Sequence, residues 1–232
     1  MSIRSHPRSE LLLSYATGAL DEAASVLVAT HLALCPQCRA GVGQMEAVGG
    51  ALLDALPAMD TTEHDLARVM ARLDKGVPDA RPTEAAHRVA EASQSKSPPS
   101  DLDTMLPQPL RGYVQKRQAV RPSWRRLLNF HYIDIKTRGR GWARLLRVSP
   151  GDALPHHGHS GEELVLVLAG GYSDATGTYH RGDVAGADAS LAHKPVAEHG
   201  ETCFCLTVNY GWLLPTPILA PLGRLFQKRA SL

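Results

Sequence analysis

The pattern of hydrophobic and polar positions divides the chain into a helical N-terminal part and a strand-rich C-terminal part. The helical period is clearest over residues 62–76, where apolar side chains recur at positions i, i+3, i+4 and i+7 and form one stripe: Leu66, Val69, Met70 and Leu73. Thr62 is the expected N-cap of this helix, and Gly76 marks its expected end. Because the stripe is one-sided, we expect it to be buried against the rest of the domain or against a partner protein.

Three earlier helices are predicted from their end signals. Ser9 is expected to cap the first helix, and Asp21 is expected to cap a second that runs to about Leu34. Pro36 suits the first turn of a third helix, because its missing N–H costs nothing there, and this helix should run to about Leu53. The N-terminal part is therefore predicted to be a small bundle of about four helices.

The C-terminal part has the short alternating runs of a β-sandwich or barrel, with Gly, Pro and Asp between them. The clearest predicted strands are Trp142–Val148, Glu163–Ala169 and Thr202–Val208. Residues 77–109 are rich in proline and serine and cannot bury much apolar surface, so they are predicted to be a linker. The predicted organisation is a helical domain over residues 1–76, this linker, and a β-barrel domain over residues 110–232.

Charge and hydropathy exclude several classes of protein. Residues 1–75 carry six Lys/Arg and nine Asp/Glu, which argues against a phosphate-binding surface there and allows a basic protein partner. The longest apolar runs are too short for a membrane span or are broken by proline. The N-terminus lacks the sustained apolar segment of an export signal, so we expect a cytoplasmic protein without a membrane anchor.

A first set of candidate metal ligands lies in the helical part. His31 and Cys35 are four residues apart, on one face of a helix, and Cys38 lies one helical turn beyond Cys35, across the start of the next helix at Pro36. A structural zinc site needs four tetrahedral ligands, and His6 is the best-placed fourth, with His64 as the alternative. In a helical domain with a single aromatic residue, zinc would replace part of the missing core. The alternative interpretation is that Cys35 and Cys38 are a buried or reactive dithiol that binds no metal.

These residues resemble the zinc-binding anti-sigma factors. In that family a short helical domain wraps a sigma factor and hides its RNA polymerase-binding surface, and a further N-terminal histidine completes the zinc site. His6 matches that histidine.

A second set of candidate ligands lies in the strand-rich part. His157 and His159 alternate as on a strand, and Glu163 shares their parity, so all three are expected inside a barrel. Their spacing between Gly151 and Gly170 fits the first cupin motif at every defined position.

The second cupin motif supplies a fourth candidate ligand, His193, at the expected interval from Gly182. Asp188, Ser190 and Ala197 depart from that motif. Four such ligands are typical of zinc, manganese or iron cupins, and the resemblance to the anti-sigma factors favours zinc.

Cys203 and Cys205 face the same side of a predicted strand. They are interpreted either as ordinary core residues, the more common role of buried cysteines, or as a redox or metal element beside the barrel metal. Two close cysteine pairs fit a reducing compartment better than a secreted disulfide framework.

The combination of zinc anti-sigma module, linker and single cupin resembles the ChrR-type anti-sigma factors over essentially the whole chain. This resemblance implies a non-enzymatic regulator whose N-terminal domain binds an extracytoplasmic-function sigma factor, with 1:1 stoichiometry expected and no direct contact with nucleic acid. It also implies that the cupin domain is needed to release the sigma factor when singlet oxygen or organic peroxides appear.

Two other classes of protein fit the sequence less well. A metal-dependent cupin dioxygenase or isomerase with a zinc-stabilised appendage would leave the first domain unexplained, and no general base is identifiable. A DNA-binding regulator is disfavoured because the helical domain is acidic and has no basic recognition helix.

Overall fold

The computed structural model describes residues 2–58, 60–74, 105–116 and 124–215. These ranges contain five helices and twelve strands. The helices are α1 (Ser9–Ala16), α2 (Glu22–Leu34), α3 (Pro36–Asp54), α4 (Glu63–Asp74) and α5 (Gln108–Lys116). The strands are β1 (Arg125–Leu127), β2 (Phe130–Ile135), β3 (Trp142–Val148), β4 (His157–His159), β5 (Glu163–Ala169), β6 (Gly171–Asp174), β7 (Gly177–His180), β8 (Val184–Ala187), β9 (Ala192–His193), β10 (Val196–Ala197), β11 (Cys203–Asn209) and β12 (Leu213–Pro215).

The strands form the antiparallel barrel that the alternation predicts. A six-stranded sheet has the order β1-β2-β3-β11-β5-β8, and two three-stranded sheets have the orders β10-β6-β7 and β12-β4-β9. The inner face of the large sheet packs with β6 and β10 around a core that includes Val165, Val167 and Tyr172. The fold class, a helical N-terminal part followed by a cupin-type barrel, is confirmed.

Two of the three predicted N-caps are confirmed, and the end predicted at Gly76 lies outside the described residues. The Asp21 carboxylate caps α2 by accepting from the Ala24 N–H, and the Thr62 hydroxyl caps α4 by accepting from the Asp65 N–H. Ser9 is not an N-cap: it is the first helical residue of α1, and Arg8 occupies the cap without a side-chain hydrogen bond. The Arg8 carbonyl already accepts from the Leu12 N–H, so the helical turn closes one residue before the predicted position.

The first part of the helical segment and the barrel segment belong to one compact unit. Of the described residues, this unit comprises 2–49, 105–116 and 124–215, and residues 50–58 and 60–74 belong to a second unit. Within the first unit, α2 and α5 cover the outer face of the six-stranded sheet through Ala23, Leu27 and Leu110, which join Leu145 and Leu206 in one core. Because both faces of this sheet are buried, β5 carries an unbroken apolar run rather than an alternating one.

Helix α5 was not predicted. It includes Pro109 in its first turn, and Pro107 immediately precedes it. Proline is tolerated in a first helical turn because the N–H it removes has no helical partner there. Most of the predicted linker, residues 77–104, lies outside the described residues, and the three-segment division stays a prediction.

Candidate metal centres

The structure brings the four residues of the first predicted set together. His6 precedes α1, His31 lies in the last turn of α2, Cys35 follows that helix directly, and Cys38 lies in the first turn of α3. One potential ligand atom from each residue lies within 4.8 Å of those of the other three. The His6 Nδ1 atom is 3.5 Å from the Cys35 Sγ and 3.3 Å from the Cys38 Sγ. Three separate segments of chain therefore converge on one point.

His31 has the tautomer and the orphaned atom that a ligand needs. Its Nδ1–H donates to the Gly182 carbonyl at 2.9 Å. Because a carbonyl can only accept, the neutral ring carries its proton on Nδ1 and leaves the Nε2 lone pair free. The Nε2 atom is fully buried and has no hydrogen-bond partner among the described residues. Burial also lowers the pKa of His31, which favours the neutral, ligating form.

The two thiols of this set fit a cation. Burial and the neighbouring Cys35 raise the pKa of Cys38 to about 11, so the pocket alone favours the thiol. A bound cation would reverse that balance, because a coordinated sulfur is deprotonated. Two sulfurs and two imidazoles form a soft donor set of the kind that structural zinc sites use.

The second predicted set is also brought together. His157 and His159 lie on β4, Glu163 begins β5, and His193 ends β9, where it pairs with His157 across the strands. One potential ligand atom from each residue again lies within 4.8 Å of those of the other three. The His193 Nε2 atom is 3.1 Å from the His159 Nε2 and 3.2 Å from the His157 Nε2.

Hydrogen bonds at the Nδ1 atoms of His157 and His193 orient these two imidazoles toward a common centre. The His157 Nδ1–H donates to the Pro155 carbonyl at 2.7 Å, and the His193 Nδ1 lies 2.7 Å from the Asp174 carboxylate. Such bonds leave the Nε2 lone pairs of His157 and His193 facing each other, which is unfavourable unless a proton or a cation lies between them. Asp174 was not predicted, because nothing in its spacing from the ligands marks it.

The pKa shifts of the four residues in the second set favour the binding of a cation. Burial, together with the neighbouring imidazoles, lowers the pKa values of His157 and His159 below their ordinary value, although the nearby Glu163 carboxylate opposes this shift. Burial alone would lower the pKa of His193, but the nearby Glu163 carboxylate, 3.7 Å away, and the hydrogen-bonded Asp174 carboxylate raise it. Burial likewise opposes ionisation of Glu163, yet the imidazoles of His193, His157 and His159 lower its pKa. These shifts favour a protonated His193 beside an ionised Glu163, and binding of a divalent cation would displace that proton.

Cys203 and Cys205 lie beside the second set but are not members of it. Their sulfurs are 3.5 Å apart on β11, and both side chains are buried in the inner barrel core. They line a cavity that also borders His157, Glu163 and His193. The hydrogen bond with Cys203 and burial raise the pKa of Cys205 well above its usual value, which favours the thiol form of Cys205. Core packing is observed; a redox role stays a prediction.

The other histidines in the described ranges belong to neither set. His64, the alternative fourth ligand, lies on α4. His156 and His199 are exposed, and the half-buried His180 pairs with Glu198 at 3.0 Å. In the part of the chain that the structure describes, no helix is long and apolar enough to cross a membrane.

Known proteins resemble this chain over most of its length. The ChrR cupin-like domain family matches residues 121–211. The anti-sigma-E factor ChrR of Cereibacter sphaeroides is 41% identical over 211 residues, which cover 90% of this chain and 91% of that protein. A chain in the crystal structure of Rhodobacter sphaeroides SigE in complex with the anti-sigma ChrR superposes with a TM-score of 0.71 at 38% identity, covering 90% of this chain and 99% of that chain. Because this identity extends over almost the whole of both proteins, the chain belongs to the ChrR family of anti-sigma factors.

Proposed function

We propose that this chain binds one extracytoplasmic-function sigma factor through its helical N-terminal domain and thereby keeps it from RNA polymerase. The observation that carries the proposal is the match, over 90% of this chain, to a crystal structure of a sigma factor with its anti-sigma factor. The partner is the sigma factor itself, with no direct contact with nucleic acid or membrane. Because sigma factors act on RNA polymerase, the proposed location is the cytoplasm.

An exposed apolar surface supports a protein partner. The side chains of the predicted stripe on α4 are between 48% and 67% exposed: Leu66, Val69, Met70 and Leu73. The end of α3 and the residues after it present a further group: Val48, Leu52, Leu53 and Leu56. Exposed apolar residues grouped in this way on amphipathic helices are typical of surfaces that bind another protein.

We assign zinc to the first set, where it would supply a tetrahedral cross-link between the chain segments. His6 would fix the segment before α1, His31 and Cys35 the end of α2, and Cys38 the start of α3. These helices otherwise share a small core around Leu12, Val28 and Leu32. The metal would therefore hold the helices in the shape that binds the sigma factor.

We assign the second set to a sensing barrel domain. His157, His159, Glu163 and His193 would hold zinc, or less favourably manganese or iron. The signal proposed from the family resemblance is singlet oxygen or an organic peroxide, and Cys203 and Cys205 are the candidate redox residues. In this account the barrel releases the sigma factor and carries no enzymatic activity.

One feature favours a second candidate, a cupin dioxygenase or isomerase. An open cleft borders His157 and Glu163 and is walled mainly by apolar side chains. Such a cleft beside a metal set can admit a small apolar molecule. The same cleft also serves a sensor, so turnover of a substrate by the metal-loaded chain is the observation that separates the two candidates.

Complex formation tests the proposal. The full chain, produced together with its cognate extracytoplasmic-function sigma factor, is expected to elute from size exclusion as a 1:1 complex. Cys35→Ser should abolish the complex and remove one metal equivalent, because it removes a ligand of the first set. The matched control is Cys203→Ser, another buried cysteine outside both sets. A complex that survives Cys35→Ser undiminished would contradict the role of the first set.

A further inference from the structure

A turn of the barrel lies against the first set of candidate ligands. The turn between β7 and β8 consists of Arg181, Gly182 and Asp183. The Gly182 carbonyl accepts from the His31 Nδ1–H at 2.9 Å, which is the bond that fixes the His31 tautomer. A residue 151 positions away in the chain thus sets the orientation of a ligand.

The Asp183 carboxylate holds the segment that carries His6. Its Oδ1 atom accepts from the backbone N–H groups of Arg4 at 2.7 Å and Ser5 at 2.8 Å. Its Oδ2 atom accepts from the His180 N–H at 2.8 Å, which closes the turn itself. Asp183 is only 2% exposed, so these bonds are shielded from water. The Val184 N–H donates to the Ser5 carbonyl at 2.9 Å and extends the attachment to the residue before His6.

Glycine at position 182 permits this close approach. Its φ of +95° lies in the region that favours glycine. A Cβ atom there would lie 2.6 Å from the Cδ1 and Cγ1 atoms of Ile3. The N-terminal segment therefore packs directly on the bare backbone of the turn.

We propose that this turn is the outer shell of the first metal centre and that the barrel thereby sets the metal affinity of the N-terminal helices. Gly182 and Asp183 are positioning residues: the first orients His31, and the second fixes the backbone next to His6. Loss of an outer partner typically weakens metal binding by about 10- to 100-fold. The inference rests on the proposed metal binding by the first set.

Cobalt binding to the full chain tests the inference. Only the first set contains sulfur ligands, so its occupancy can be followed through the thiolate-to-cobalt charge-transfer absorption. The Asp183 carboxylate accepts from three N–H groups. Asp183→Asn keeps the size of the side chain but replaces one of the two acceptor oxygens with an NH₂ group, which cannot accept. We expect its Co²⁺ affinity at the first set to fall by about tenfold or more and the absorption band to change shape.

The matched control is Asp134→Asn. Asp134 is a partly buried carboxylate on β2 that accepts hydrogen bonds from Arg144 and Arg125. It contacts no residue of the first set, so Co²⁺ binding there should stay as in the wild type. Circular dichroism and tryptophan emission monitor the fold of every variant.

A second pair of variants keeps the test decisive if Asp183→Asn fails to fold. Gly182→Ala should weaken Co²⁺ binding because the new methyl group displaces Ile3, and Ile3→Ala in the same chain should restore part of the affinity. Unchanged affinity, within twofold, in a folded Asp183→Asn or Gly182→Ala chain would overturn the inference. Absence of the charge-transfer band in the wild type would instead contradict metal binding by the first set.

Discussion

At the scale of single residues, histidines in both candidate centres are oriented by a hydrogen bond at Nδ1. A backbone carbonyl or a carboxylate bonds the Nδ1 atoms of His31, His157 and His193, which leaves each Nε2 atom directed at the other ligands. The ligand spacing predicts the donors but not these outer partners, because Gly182, Pro155 and Asp174 come from other turns and strands. Folding is what places them, so sequence spacing alone gives no signal for them.

The lowered pKa of His31 predicts how the stability of the metal-free chain depends on pH. Burial lowers this pKa in the folded state below the ordinary value of 6.5, so the unfolded chain binds a proton that the folded chain excludes. The stability contributed by neutral His31 is therefore present above pH 6.5 and is lost as the pH falls below that value. Urea unfolding of the metal-free chain at pH 7.5 and at pH 5.5 measures the difference.

The matched variant is His31→Gln, which keeps a polar side chain of similar length but does not titrate. His157 and His159 have pKa values shifted in the same direction, and His193 in the opposite one, so the informative quantity is the difference between the two chains. We expect a smaller loss of stability on acidification in His31→Gln than in the wild type. An equal loss in both chains would contradict the assignment.

At the scale of elements, we expect the apolar stripe of helix α4 to bind the sigma factor. Val69→Asp replaces an exposed apolar side chain of the stripe, which is 52% exposed, with a charge. The free chain should keep its stability, because this position is not in a core, whereas sigma-factor affinity should fall by at least about tenfold, as for a buried interface residue. Isothermal titration with the sigma factor measures the affinity.

The control for α4 is Arg72→Asp, which places the same charge on the same helix three residues away. Arg72 is exposed and lies outside the stripe. A smaller effect than that of Val69→Asp is expected. Equal effects of the two substitutions would show that charge, rather than the apolar stripe, controls binding.

The sequence predicts most elements because their signals are local. Asp21 and Thr62 act as caps, and the alternation on β3 and the run on β5 identify strands. Helix α5 was missed because Pro109 indicates a linker unless it occupies a first turn. The docking of α2 on the barrel was also missed. Its apolar positions surround the whole helix, a pattern typical of elements buried on more than one side.

At the scale of the whole molecule, helix α2 packs both against the first candidate centre and against the barrel that contains the second. One face packs on the barrel sheet through Ala23 and Leu27, and another packs around the first centre through Val28 and Leu32. The turn that bonds His31 follows β7, and β7 pairs with β6, which carries Asp174. Because removal of the barrel would expose the first of these α2 faces, functional tests belong on the full chain rather than on an N-terminal fragment.

Transcription in vitro from a promoter dependent on the cognate sigma factor, with the full metal-loaded chain added, tests whether this protein is an anti-sigma factor that the first metal centre supports. We expect inhibition by the wild type and by Glu163→Gln, and loss of inhibition when the first set is emptied by Cys35→Ser. We also expect an organic peroxide to relieve inhibition by the wild type but not by Glu163→Gln. Full inhibition by a folded, metal-depleted Cys35→Ser chain, or no inhibition by the metal-loaded wild type, would contradict this role.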